Sequence, residues 1–494
     1  MKKLRPMNPI RKTVFTALLA ALGCATGAEA QPRELTLSFE QALEMADTTR
    51  TMRIAAQQVE QAETERRRLN AYWYPQITAA GSYVRMANAI EVKERLSTFT
   101  GPLKDFIQSA VPGEELVSSL LDRLGRRSFS VPMTPPDVAS INAVALYPLF
   151  TGGKRIYGDR IGRSMVAIAE ETRRQTDAAQ RVLLVETYYG IRLGREIVEV
   201  KRRTLEAFEL HYRNACKLEE AGMLTRTERL IFEVNRDEAR RGVETAVKEL
   251  EVTQQALRTL LGIDDGTHVV PLSPLFIDET LPPAEFFKSR LDRESPLLRG
   301  LKIRQEIQHD RLRIARSAYL PEIGIFWEQS IYTHGLRKNL APRWVAGVGF
   351  TWNIFDGTGR EKQIRQAQIG TRTAAVEREK AADDLALAVD KFYTQTQVAL
   401  DNIRALRTTL RMCREIVDAR KKSFAEGMAT TAEVVDAELL LAQTRIAVLA
   451  AYYQFDTGLI NLLAASGMTD SFVLYGRRGA QETTDMHADR TAEM

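Results

Sequence analysis

Lys217-Leu218-Glu219-Glu220-Ala221-Gly222-Met223 returns later in the chain as Lys422-Ser423-Phe424-Ala425-Glu426-Gly427-Met428. Leu149-Phe150-Thr151-Gly152-Gly153 likewise returns as Ile354-Phe355-Asp356-Gly357-Thr358. Tyr188 and Tyr393 keep the same spacing, as do Gly262 and Gly467, so the offset is a constant 205 residues (355 − 150). A period this long is not that of a solenoid repeat; each copy is a sizeable unit in its own right.

Each copy reads helix, two strands, long helix, tight turn, shorter helix. The first is expected over 31–270, with an upper helix at 39–71, strands at 76–86 and 139–149, and a helical hairpin at 156–262. The second is expected over 296–467, with an upper helix at 296–320, strands at 322–332 and 343–355, and a hairpin at 360–466. A turn-rich connector at 271–295 joins them, and 468–494 reads as a polar tail. In the second hairpin Leu385, Val389, Phe392, Thr396, Ala399, Ile403, Leu406 and Leu410 alternate steps of four and three. The descending arm carries Val434, Ala437, Leu441, Thr444, Val448, Ala451 and Phe455 in the same rhythm, and the first hairpin has Leu184, Ile191, Val198, Leu205 and Tyr212 at sevens. Such seams pack antiparallel helices as coiled coils. At about 1.5 Å per residue the long arm spans ~100 Å and the short arm ~60 Å, so the upper helices are expected to cover what the short arms leave bare.

The chain has 494 residues, 44% hydrophobic and 27% charged but only 7% aromatic, which suits long helices better than a thick globular core. Lys2, Lys3, Arg5, Arg11 and Lys12 precede an apolar run from Val14 to Leu22 and the small-x-small site Ala28-Glu29-Ala30, so 1–30 reads as a secretory signal cleaved before Gln31. Leu22-Gly23-Cys24 offers a lipidation site as an alternative, weakened by Ala21 at its start. The net charge of +5 includes the leader cations; the remainder is near neutral, and a nucleic-acid partner is not expected. Cys216 and Cys413 are too few for a disulfide framework in an exported chain.

The strands point to a location. From Arg343 to Phe355, Trp344, Ala346, Val348, Phe350, Trp352 and Ile354 share one face, and Val345, Gly347, Gly349, Thr351 and Asn353 the other. Trp344 and Trp352 lie ~26 Å apart along an extended strand, close to the ~25 Å lipid band of a membrane barrel, and are expected to form its aromatic girdle. An insert at 87–137 is expected to be an external loop, since barrels carry their long loops outside. A catalytic centre is not expected, nor a metal or cofactor: the five histidines lack ligand spacing, and Gly152-Gly153-Lys154-Arg155 lacks the upstream glycine and following Ser or Thr of a phosphate loop.

Leader, duplicated helix–strand–strand–helix–turn–helix units and the Phe-x-Gly returns together resemble the TolC family of outer-membrane efflux and secretion channels. The stretch from Phe424 to Ala437, FAEGMATTAEVVDA, is similar to the second periplasmic turn of that family. The resemblance implies a mainly α protein with a small transmembrane β-barrel: a homotrimer with a twelve-stranded barrel in the outer membrane and a twelve-helix barrel in the periplasm. It implies a periplasmic adaptor (membrane fusion protein) and an inner-membrane RND or ABC transporter as partners, besides outer-membrane lipid. Four strands per chain independently require oligomerisation, because about eight are the least that close a barrel.

The expected function is that of a passive duct for small molecules in a tripartite efflux system, not of an enzyme. A type I protein-secretion channel is the alternative within the class, and a periplasmic coiled-coil scaffold the alternative outside it. By the resemblance, Glu433 and Asp436 line the periplasmic aperture, where crowded carboxylates attract cations. Thr227, Glu228, Phe424 and Ala429 stand at the positions of the family's gate latch. Phe424 and Ala429 depart from its tyrosine and arginine, which leaves apolar contact or Arg226 to hold the gate. Gly222 and Gly427 reverse the helices, a task suited to positive φ, and Met223 and Met428 offer adaptable apolar tips to an adaptor.

Overall fold

The computed structural model describes residues 33–95, 101–102, 104–105, 115–126, 128–335 and 342–479. The expected leader, the rest of the 87–137 insert and 480–494 lie outside the described residues. In chain order the elements are β1 (Arg33–Leu37), α1 (Phe39–Ala46), α2 (Arg50–Asn70), β2 (Gln76–Arg85), β3 (Ile90–Arg95), α3 (Glu115–Gly125), β4 (Ser128–Thr134) and β5 (Asp137–Phe150). There follow α4 (Lys154–Glu220), α5 (Arg226–Leu261), β6 (Thr267–Pro271), α6 (Ala284–Lys288), α7 (Leu291–Glu294) and α8 (Pro296–Ser317). The chain continues with β7 (Glu322–His334), β8 (Trp344–Thr351), α9 (Gly359–Ala425) and α10 (Thr431–Ser466), then a helix at 472–479.

The duplication extends to individual helix ends. Helices α9 and α10 begin and end 205 residues after α4 and α5, with 67 and 36 residues in each copy. Both short arms end at a glycine in the left-handed conformation, Gly262 and Gly467. Burial follows the heptads: Leu184, Ile191, Val389, Thr396, Ile403, Val434, Leu441 and Phe455 are all buried. Helices α9 and α10 approach closely at Gly458, where a Cβ would lie 2.9 Å from Thr396 Oγ1.

Two compact units divide the chain, and neither is one repeat. One comprises Met1–Gln58, Glu170–Gly300 and Arg378–Met494, the other Val59–Ala169 and Leu301–Glu377.

The second unit holds an antiparallel sheet in the order β2-β5-β7-β8. The register sets Ile325 beside Val348, Trp327 beside Ala346 and Ala145, and Ala145 beside Ile77, so one face is Ile, Ala, Val and aromatic. The other carries Thr78, Ser82, Asn142, Glu328, Gly347 and Gly349. Val144, Leu146, Val345 and Phe326 share that face, and Phe326 lies over Gly347, where a Cβ would meet its ring at 2.9 Å. The last strand stops at Thr351, not at 355 as the alternation suggested, because Arg360 captures the carbonyls of Asn353 and Ile354, each at 2.7 Å. The insert contains a paired ribbon of β3 and β4 as well as α3.

In the first unit β1 pairs in parallel with β6, a pairing without a signal in the sequence pattern. The expected helix 39–71 is broken at 47–49: Thr48 Oγ1 donates to the Met45 carbonyl (2.9 Å), and Thr49 Oγ1 accepts from the Met52 amide (3.4 Å), restarting the helix. The expected polar tail also needs correction. Residues 472–479 are helical, and Phe472 and Tyr475 are buried, with the Phe472 ring 5.3 Å from Phe39 and 5.6 Å from Phe276. No helix among the described residues is long and apolar enough to cross a membrane.

Candidate functional site

The two helical turns of the first unit share the same closing bonds. At the first, Gly222 N–H donates to Glu219 O and Met223 N–H to Leu218 O; at the second, Gly427 N–H donates to Phe424 O and Met428 N–H to Ser423 O. These closures spend the orphan carbonyls of the helix end and place Gly222 and Gly427 at φ 69° and 72°. Thr225 and Thr430 then cap the returning helices. Glu228 accepts from the Thr225 amide (2.9 Å) and Glu433 from the Thr430 amide (3.1 Å), each completing a capping box. The Glu228 carboxyl is held below the usual carboxylate range by its bonds from the Thr225 amide and hydroxyl. Met223 and Met428 stand out at the tips, 75% and 71% exposed.

Differences between the copies carry the chemistry. Glu433 has an ion pair 3.4 Å from Arg420, whereas the equivalent of Arg420 in the first copy is the buried Ala215. Asp436 is exposed and has no hydrogen bond or ion pair among the described residues; its first-copy equivalent is Ile231. The acidic pair expected from the sequence is therefore one cap carboxylate, already engaged, and one free carboxylate.

A contact between the hairpins sits just behind the turns. Phe208, Ala215 and Phe232 of the first hairpin form one buried cluster with Val435 of the second, and Phe424, Leu439 and Tyr212 pack on it. The Phe424 and Phe232 rings meet edge-on at 6.1 Å. The second hairpin has its own separate cluster of Leu410, Cys413, Val417, Ala437 and Leu441. Thr227 and Arg226 are exposed, without an ion pair between Arg226 and Glu228, and Ala429 is half-buried. Of the expected latch positions, Phe424 packs on this inter-hairpin cluster.

The sequence reading missed a polar bridge beside this cluster. Glu438 of α10, nearly buried, lies 2.6 Å from Lys421 Nζ on α9 and 3.8 Å from His211 Nε2 on α4. His211 stacks on Phe232 at 5.5 Å with 16° between the planes. Burial raises the Glu438 carboxyl, but the contacts with His211 and Lys421 outweigh it and hold the group below its ordinary value. A signal was present: α10 buries Val434, Val435, Ala437, Glu438, Leu441 and Ala442, and Glu438 is the one carboxylate in that wide stripe. Trp344 and Trp352, in the other unit, are exposed, and Trp352 Nε1 donates to Tyr319 O at 3.1 Å. Among the described residues no group of His, Cys, Asp and Glu is placed to hold a metal ion.

Residues 289–468 match the family model described as outer membrane efflux protein. A curated relative, the alkaline protease secretion protein AprF of Pseudomonas aeruginosa, is 24% identical over 327 residues, covering 63% of this chain. The match spans 66% of that relative's own length, just under two thirds. Among solved structures, CusC superposes with a TM-score of 0.68 at 16% identity, over 90% of this chain and 95% of that one. VceC of Vibrio cholerae gives 0.66 at 14% identity over 87% and 96%, and the open state of the Neisseria gonorrhoeae MtrE outer membrane channel 0.65 at 17% over 90% and 94%. At these identities the structural likeness speaks to fold.

Proposed function

Because this chain belongs to the TolC family of outer-membrane efflux and secretion channel proteins, we propose that three copies of it build one passive export duct. It is a transport protein of the outer membrane that extends into the periplasm, and not an enzyme. The observation that carries the trimer is the four-stranded sheet, whose edge strands β2 and β8 have no further partner among the described residues and whose one apolar face is exposed. An open apolar edge is a template for pairing with another chain. Four strands cannot close a barrel, two copies would reach about eight and be filled by side chains, and three leave room for a lumen. Mass measurement in mild detergent tests it: a particle three times the chain mass is expected, and a stable monomer overturns the trimer.

In this reading the paired turns face an inner-membrane transporter, RND or ABC, through a periplasmic adaptor that packs on Met223 and Met428. Replacing both by Asp is expected to abolish export while leaving the trimer intact; surviving export places docking elsewhere.

Small-molecule efflux is the leading cargo class. Protein secretion is the second reading, favoured by the name of the AprF relative. Deleting the gene separates them: drug sensitivity restored by the intact gene supports efflux, and loss of a secreted protein without drug sensitivity supports secretion.

A further inference from the structure

His211 sits where Glu438, a buried carboxylate of the second hairpin, meets the first. Its ring is fixed against Phe232, and its Nε2 stops 3.8 Å from the Glu438 carboxylate, beyond an ordinary hydrogen bond. The side chains of both residues are largely shielded, 13% and 10% exposed, so a charge gained there is weakly screened. Glu438 is tied to its own hairpin by Lys421 at 2.6 Å.

The duplication supplies an internal control. The first-copy equivalent of Glu438 is Glu233, which pairs with Arg229 at 2.5 Å inside its own hairpin. The second-copy equivalent of His211 is Ile416, which is 44% exposed. Among the described residues the His–carboxylate bridge thus has no counterpart in the other copy, and it lies between the hairpins.

We propose that His211 and Glu438 form a proton-sensitive latch that holds the two hairpins together more firmly as pH falls. This rests on the duct reading, with the paired turns as the end that opens. A neutral imidazole at this distance adds little; an imidazolium adds a charge facing a carboxylate that its cationic neighbours keep ionised against the opposing effect of burial. Other charges around the ring modulate the effect. Lys421 of α9 shares the Glu438 carboxylate and opposes the imidazolium, Arg445 of α10 acts on the same carboxylate, and α5 presents the uncharged Phe232. Arg445 is itself crowded by Arg414 of α9 and Arg203 of α4. The sign follows: the extra bond is present when His211 carries a proton and is lost as pH rises.

The test is single-channel recording of the detergent-extracted protein in planar bilayers between about pH 8 and about pH 5.5, the interval in which imidazoles ordinarily titrate. Open probability of the unmodified duct is expected to fall about tenfold on acidification, within the usual range of coupling between two sites. His211→Phe, which keeps a ring on Phe232, and the near-isosteric Glu438→Gln are both expected to flatten the response. A full pH response in either variant, or none in the unmodified protein, overturns the latch alone. Absence of any conductance at every pH overturns the duct reading and the latch with it.

Discussion

The ring of Phe424 meets that of Phe232 edge-on at 6.1 Å, joining the second hairpin to the first just behind the turns. Phe232 is buried and Phe424 half-buried, so the two substitutions separate stability from gating. Phe232→Ala is expected to destabilise the protein by about 3–5 kcal/mol, the usual result of emptying an aromatic core site. Phe424→Ala is expected to leave the fold intact and raise resting conductance in planar bilayers. Unchanged conductance in Phe424→Ala would show that apolar contact does not hold the gate.

Glu433 and Asp436 are expected to behave unequally, although the sequence presents them as a pair. The Glu433 carboxylate is spent on the Thr430 amide and on Arg420, while Asp436 is exposed and without a partner among the described residues. Asp436→Ala should lower cation selectivity and relieve block by trivalent cations. Glu433→Ala should act mainly on stability, by about 1 kcal/mol for loss of a cap interaction. Equal losses of selectivity in the two single variants would contradict this division.

Thr358 adopts a left-handed backbone at φ 71°, where its repeat equivalent is Gly153 at φ 89°. A β-branched residue is strained there, by roughly 1–3 kcal/mol. Thr358→Gly is expected to move the denaturation midpoint upward, and Gly153→Thr downward. A drop in stability for Thr358→Gly would mean that the threonine side chain repays its strain.

Asp456 is completely buried on α10, with no ion pair among the described residues and only the Phe276 backbone to oppose the effect of burial. Burial pushes its carboxyl well above the ordinary range, so the folded state holds a proton that the unfolded chain releases. A raised carboxyl contributes stability below the unfolded value, near pH 4, that is lost as pH rises toward the folded value, at up to about 1.4 kcal/mol per pH unit. Asp456→Asn, neutral at every pH, should remove that slope. Denaturation midpoints of the two proteins compared from about pH 4 to about pH 7 check it. Parallel curves would place the proton elsewhere.

Much of this molecule was legible in one dimension because its strongest signals are local. Seven-residue seams locate the helical hairpins, glycines that tolerate positive φ mark both reversals, and period-two alternation gives the sheet its apolar and polar faces. The constant offset of 205 made each reading check its twin, down to Gly222 and Gly427 at the two reversals. These features depend on backbone geometry within a few residues, which the sequence specifies directly.

Tertiary structure decided what depends on residues far apart in the chain. Strand β1 finds β6 across more than two hundred residues, and Phe472 turns an apparent tail into part of an aromatic core. Arg360 ends the last strand by taking its outgoing carbonyls. The bridge from His211 through Glu438 to Lys421 draws on three helices, and no periodicity within any one of them records that meeting. Nor could the sequence tell that Glu433 pairs with Arg420 while Asp436 is free, because at three residues' separation they share a helix face and differ only in what comes near them. Local propensity is additive along the chain, whereas the partner of a buried charge is settled by packing.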